Sequence, residues 1–172
     1  MLVPKDGELR PTQDRVREAL FNILAPEIAD AEFLDLFAGS GSVGIEALSR
    51  GAKCATFVES DHRHAETLKR NLETLGAHSR AEVVVRDAYR WIESYSGAGW
   101  TMVFADPPYA LGEKAGYAKM LSTLAERGVT RKEGLFIAEM TSSQEAESAD
   151  GWEMLRDRVY GKTRIVIWRR KK

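Results

Sequence analysis

The chain has 172 residues, a formal net charge of −1 at pH 7, and 44% hydrophobic and 30% charged residues. The length predicts one globular domain over residues 1–172. Within it, the order of predicted elements described below gives an N-terminal segment and helix in 1–30 and an α/β core in 31–172. The composition excludes an internal disulfide, because Cys54 is the only cysteine, and no apolar run reaches the roughly 20 residues of a membrane span. With no secretory signal visible, a cytoplasmic protein is expected.

Helical periodicity and short apolar runs alternate along the chain. A first helix is predicted from Gln13 to Leu24, capped by Thr12, and a second from Ala65 to Leu75. Near the C-terminus, the apolar runs on either side of Gly161-Lys162 predict an antiparallel hairpin. Strands are predicted at Phe33–Phe37, Cys54–Glu59, Glu82–Arg86, Trp100–Ala105 and Gly134–Glu139. This alternation is typical of a parallel sheet with helices on both faces.

A glycine-rich turn follows the first predicted strand. Gly39, Gly41 and Gly44 have the spacing G-x-G-x-x-G, and Glu59 ends the next predicted strand. Glycine lets the backbone approach a ligand, and a carboxylate at the end of the second strand can accept hydrogen bonds from ribose hydroxyls. The turn therefore predicts a nucleoside cofactor, and it allows both a nicotinamide dinucleotide and S-adenosylmethionine.

The segment Asp106-Pro107-Pro108-Tyr109 ends the fourth predicted strand. Hydride transfer does not require such a segment. Methyl transfer to a planar amino nitrogen does, because the amine must be held and turned toward the methyl donor. Asp106 and a carbonyl of the two prolines can each accept one N–H of the amine, and Tyr109 can stack on an unpaired base. We expect the glycine turn and this segment to converge, so that a methyl donor faces the amine. Together, the glycine turn and the Asp-Pro-Pro-Tyr segment favour S-adenosylmethionine as the cofactor, with S-adenosylhomocysteine as the product.

In several segments the chain resembles the bacterial 16S ribosomal RNA guanine-N2 methyltransferases that modify guanine 966 of the small subunit. The resemblance extends from about residue 9 to the C-terminus. It is carried by Arg10-Pro11-Thr12, Asp14 to Glu18, Leu20-Phe21-Asn22, Leu34 to Gly41, Gly44 to Gly51, and Asp106 to Tyr109. The first segment is the most specific, since many amino-methyltransferases share the glycine turn and the Asp-Pro-Pro-Tyr sequence.

The resemblance implies a Rossmann-like class I methyltransferase fold, with a seven-stranded, mostly parallel sheet whose last strand is antiparallel. It also implies a set of cofactor-binding residues. Glu59 would bind the ribose, and Asp87 with Ala88 would lie beside the adenine. Thr12 would close over the cofactor or enter the RNA path, as would Arg10. The methionine end would contact the segment from Asp35 through Phe37, Ala38, Gly39, Ser40 and Gly41.

The implied partner is 16S ribosomal RNA in the small subunit or in an assembly intermediate. RNA contacts are expected from Arg10, Arg15 and Arg17, and residues 151–172 add eight basic side chains against two acidic ones. Relatives carry a longer basic arm ahead of Arg10, where this chain has nine residues, a difference that bears on RNA affinity and not on the chemistry. No metal-ligand spacing is present, and a monomer is expected.

Two alternatives remain at this stage. The same tetrapeptide serves enzymes that methylate adenine N6 in DNA or RNA, or a protein glutamine amide. A binding protein that keeps the fold without turnover is the more distant alternative, and the intact Gly39, Gly41, Glu59 and Asp106 argue against it.

Overall fold

A computed structural model describes residues 11–108 and 116–172, with side chains described from Asp14 onward. The backbone divides into two compact units, Met1–Ala88 and Tyr89–Lys172. The organisation of residues 1–172 as one domain stays a prediction. Within the described residues, no helix is long and apolar enough to cross a membrane.

In the first unit, helices alternate with parallel strands. The elements are α1 (Pro11–Leu24), β1 (Glu32–Asp35), α2 (Ser42–Ser49), β2 (Cys54–Glu59), α3 (His62–Thr74), a 3-10 turn (His78–Arg80) and β3 (Ala81–Val85). Strand β2 pairs in parallel with both β1 and β3. Parallel strands bring their carboxyl ends to one edge, so the residues after β1 and β2 are neighbours there.

The second unit ends in an antiparallel hairpin. Its elements are α4 (Ala88–Ser94, which begins at the boundary of the units), β4 (Trp100–Ala105), α5 (Tyr117–Glu126), β5 (Thr130–Thr141), β6 (Trp152–Tyr160) and β7 (Thr163–Arg170). Strand β4 is parallel to β5, and β7 is antiparallel to both β5 and β6.

The seven strands form one sheet in the order β3-β2-β1-β4-β5-β7-β6. Six strands share one direction and only β7 is reversed, because the β6–β7 connection is a tight turn at Gly161 and Lys162, where Gly161 has φ +62°. The predicted fold class, a seven-stranded mostly parallel sheet with an antiparallel last strand, is confirmed.

The strand bounds agree with the predicted ones to different degrees. Strands β2 and β4 have the predicted bounds, and β3 begins and ends one residue early. Strand β1 ends at Asp35 and not at Phe37, because the chain leaves the ladder there to enter the glycine turn. Strand β5 begins at Thr130 and not at Gly134. The charged residues before Gly134 hid this extension, and the β4–β5 register shifts between Trp100 and Met102.

Both named helices begin earlier than predicted. The Thr12 cap is wrong, because α1 begins at Pro11 and Thr12 lies inside the helix. Proline suits that first position, because its missing N–H would have no intrahelical partner there and its fixed φ is already helical. Helix α3 begins at His62 and ends at Thr74, not at Ala65 and Leu75. Its cap is Asp61, whose Oδ1 accepts the N–H groups of Arg63 at 2.7 Å and His64 at 3.2 Å.

Candidate active site

The glycine turn is held by side chains from three elements of the first unit. Glu59, the last residue of β2, accepts the Gly39 N–H at 2.7 Å through Oε2 and the Asp61 N–H at 2.8 Å through Oε1. Asp35, the last residue of β1 and 1% exposed, accepts the Gly44 N–H at 3.2 Å. The turn is therefore fixed from the carboxyl ends of two neighbouring strands.

A third contact comes from the helix behind the turn. Asn71 of α3 is 1% exposed and donates its side-chain N–H to the Ser40 carbonyl at 3.0 Å. Sequence patterns did not identify Asn71, because an asparagine inside a helical run has no recognisable signature. Asn71 supports the turn, because its side chain is buried and hydrogen-bonded to the Ser40 carbonyl.

At Gly41 and Gly44 a side chain would force neighbouring atoms to move, and Gly41 also has a φ that favours glycine. A Cβ at Gly41 would lie 2.2 Å from Leu68 Cδ1, and φ there is +86°. A Cβ at Gly44 would lie 2.3 Å from the Phe57 ring. Gly39 also has a positive φ, of +53°, but a Cβ there would meet no atom of the described residues within 4 Å. The backbone at Gly39 is thus open on that side, as the approach of a ligand requires.

These features fit the adenosine part of S-adenosylmethionine. Each Glu59 oxygen already accepts one backbone N–H, and a carboxylate oxygen can accept a further hydrogen bond from a ribose hydroxyl. The other predicted cofactor residues are also found at carboxyl ends of strands. After β1, Phe37 is half-buried and Ala38 is buried; after β3, Asp87 is exposed and Ala88 is buried. Their contacts with a cofactor stay a prediction.

In the second unit, Asp106 directly follows β4. Its side chain is exposed, Pro107 is buried and Pro108 is exposed. Because proline has no N–H, residues 107 and 108 contribute backbone acceptors and no backbone donors. Asp106 and the two prolines therefore form a run of acceptors, which matches an amine that offers two N–H donors.

The Asp106 carboxyl combines solvent access with close protein surroundings. Its exposed surface leaves it within reach of a ligand, while burial among protein atoms raises its pKa to about 6. At pH 7 the group is still mostly ionised, so it can accept an N–H. It also holds a proton more readily than an ordinary aspartate, which suits a group that takes a proton during a reaction.

Two neighbours of Asp106 were not predicted from the sequence. Glu139 lies near the end of β5, and burial, with a contribution from Asp106, raises its pKa to about 8. Tyr117, the first residue of α5, is 4% exposed and donates its hydroxyl to the Glu139 carbonyl at 2.9 Å. Burial and the nearby Asp106 raise the Tyr117 pKa, so its phenol stays neutral. Glu139 was detectable, since it ends an apolar run as Glu59 does.

The predicted RNA contacts and Tyr109 are only partly described. Arg10 and Tyr109 lie outside the described residues, as does the side chain of Thr12. Arg15 is exposed on α1, whereas Arg17 forms an ion pair with Asp14 at 2.8 Å. Arg15 is thus the better placed of the two arginines to contact phosphate. Among residues 11–108 and 116–172, no group of three or more potential metal ligands occurs.

Comparison with known proteins adds to this geometry. The family model described as "Conserved hypothetical protein 95" matches residues 1–169. Ribosomal RNA small subunit methyltransferase D of Escherichia coli strain K12 is 38% identical over 169 residues, which cover 98% of this chain and 83% of the relative. The chain belongs to the ribosomal RNA small subunit methyltransferase D family. The predicted resemblance is confirmed at the level of the family.

Solved structures agree with this membership. The structure of yhhF from Escherichia coli matches with a TM-score of 0.87 and 39% identity, over 99% of this chain and 91% of that chain. An RNA methyltransferase from Salinibacter ruber, solved with S-adenosyl-L-homocysteine, matches with a TM-score of 0.68 over 100% of this chain and 95% of that chain. It is 15% identical, so the likeness concerns the fold alone.

Proposed function

We propose that this protein is a ribosomal RNA methyltransferase that uses S-adenosylmethionine to methylate N2 of guanine 966 in 16S ribosomal RNA. Family membership supports the methyl donor and the ribosomal RNA substrate, since the Escherichia coli relative is named ribosomal RNA small subunit methyltransferase D. When bound, S-adenosylmethionine supplies an electrophilic methyl group on a positively charged sulfur. Glu59 would hold its ribose, and the Gly39 turn would contact its methionine end.

The observation that carries the proposal is the run of acceptors at Asp106, Pro107 and Pro108. The exocyclic amine of guanine has two N–H donors, and its lone pair is delocalised into the ring. Asp106 accepts one N–H and a proline carbonyl the other, which turns the nitrogen toward the methyl group. Once methylated, the nitrogen is cationic and strongly acidic, so Asp106 or water takes its proton afterwards.

The substrate base must be unpaired or flipped out, because pairing would bury its amine. We place the protein in the cytoplasm as a monomer that acts without a metal on the small subunit or on an assembly intermediate. Tyr109 would stack on the base. Arg10 and Arg15 would contact the phosphate backbone, and Arg17 would do so after release from Asp14.

The test is methylation of small subunits purified from a strain that lacks the enzyme, followed by mass spectrometry of the ribosomal RNA. The expected result is N2-methylguanine at position 966. Methylation of adenine N6, or no methylation by a protein that binds S-adenosylmethionine, would contradict the proposed substrate.

A further inference from the structure

A second carboxyl group lies beside the proposed amine site. Ala105 of β4 pairs in register with Ala138 of β5, so the next residues, Asp106 and Glu139, are neighbours at the carboxyl ends of two parallel strands. This edge of a parallel sheet is where α/β proteins bind ligands. Asp106 is exposed and Glu139 is half-buried, so both are accessible to a ligand.

Neighbouring residues fix the backbone at Glu139. Among the described residues, the neighbours named below place no cation against its carboxyl group. On the helix side, the Tyr117 hydroxyl donates to the Glu139 carbonyl at 2.9 Å and fixes the backbone there. On the strand side, the register partner of Glu139 in β7 is the fully buried Ile165. Arg164, the nearest basic residue along β7, is bound by both carboxylate oxygens of Asp157, at 2.8 and 2.9 Å.

We propose that Glu139 determines specificity for guanine: as a neutral carboxylic acid it accepts N1–H and donates to O6 of the base, while Asp106 holds the N2 amine. The inference rests on the proposed function. Together the two carboxyl groups offer a donor and two acceptors to the edge of guanine that carries O6, N1–H and N2–H. Adenine lacks the N1–H donor at this edge, so the same arrangement disfavours it.

The protonation of the pair agrees with this assignment. Burial raises the pKa of Asp106 to about 6 and that of Glu139 to about 8, and the charge of Asp106 adds to the rise at Glu139. Between these values the pair holds one proton, and the larger rise in pKa at Glu139 favours that group as its site. Tyr117 stays neutral throughout, because its pKa is also raised. Activity should therefore rise as Asp106 ionises near pH 6 and fall as Glu139 loses its proton near pH 8.

Glutamine provides a matched variant, because its amide accepts and donates in the same pattern as a neutral carboxyl group and has no proton to lose. We expect Glu139→Gln to retain a larger kcat/KM at pH 7 than Glu139→Ala and to abolish the fall in activity above pH 8. Glu139→Ala removes both hydrogen bonds to the base, so kcat/KM should drop about ten- to a hundred-fold at pH 7.

The experiment measures kcat/KM for wild type, Glu139→Gln and Glu139→Ala on small subunits from the strain lacking the enzyme, between pH 5.5 and 9. Calorimetric titration with S-adenosylmethionine and thermal unfolding confirm that each variant folds and binds the donor. A glutamine variant as defective as the alanine variant, or one that retains the wild-type fall above pH 8, would overturn the inference. No methylation by any folded, donor-binding protein would overturn the proposed function itself, and with it the role of Glu139.

Discussion

At the scale of single residues, the turn that is proposed to bind the donor depends on tight packing against glycine. Gly44 lies on α2 with the Phe57 ring directly against it, and its N–H donates to Asp35. A methyl group there has no space unless the aromatic ring or the helix moves. The close approach of the helix to β2 therefore needs glycine at this position.

Gly44→Ala should lower the free energy of unfolding by about 1–3 kcal/mol, because the new Cβ would lie 2.3 Å from the Phe57 ring. It should also weaken S-adenosylmethionine binding, since α2 and the turn move together. Chemical denaturation measures the first effect and calorimetric titration the second. Ser49→Ala, at an exposed position of the same helix, is the control. Equal stability of the two variants would show that the turn tolerates a side chain.

Some residues of the candidate site could be predicted from the sequence and others could not. Glu59 and Asp106 were predicted because each ends a recognisable apolar run next to a motif. Asn71 and Tyr117 were not predicted, because each donates a hydrogen bond to a backbone carbonyl that is distant in the sequence, at Ser40 and Glu139. Glu139 ends an apolar run too, but only the register of β4 and β5 places it beside Asp106.

At the scale of elements, the start of α5 is held by a distant carboxylate. Glu147, in the connection between β5 and β6, accepts the Ala118 N–H through Oε2, and its carbonyl accepts the Trp168 indole N–H at 3.1 Å. The bond to Ala118 satisfies a helix N-terminal donor that has no intrahelical partner. Glu147 thereby fixes the position of Tyr117, the first residue of α5.

Glu147→Ala should lower the free energy of unfolding by about 1 kcal/mol, as the loss of a helix cap does. Because α5 carries Tyr117, kcat should fall as well, while S-adenosylmethionine binding stays near the wild-type value. Ser148→Ala, an exposed change in the same connection, is the control for both measurements. Wild-type stability and kcat in Glu147→Ala would refute this role of the carboxylate.

Element bounds followed from sequence wherever apolar periodicity was uninterrupted, as in β2 and β4. They failed where another interaction sets the end. The start of α3 depends on the Asp61 side chain, and the start of β5 depends on the pairing of Thr130 with Trp100 of β4, which precedes a shift in register. Hydrophobic periodicity alone predicts neither the helix cap at Asp61 nor the pairing of β5 with β4.

At the scale of the whole molecule, donor binding and amine binding are assigned to different parts of the chain. Glu59, Asp35 and Asn71, which hold the glycine turn, belong to the first unit; Asp106 and Glu139 belong to the second. The fold class and the family followed from the sequence, since the motifs and their order along the chain carry that information. The proposed specificity for guanine, in contrast, depends on Glu139, which no sequence motif identifies.

In the proposed reaction, Asp106 acts on the amine and not on the donor. The direct test compares Asp106→Ala with wild type in S-adenosylmethionine binding by calorimetry and in methyl transfer to small subunits. We expect Asp106→Ala to have nearly unchanged donor affinity and a loss of methyl transfer of at least about a hundred-fold. A comparable loss of both, in a variant that unfolds at the wild-type temperature, would contradict this expectation and would assign Asp106 to the cofactor site.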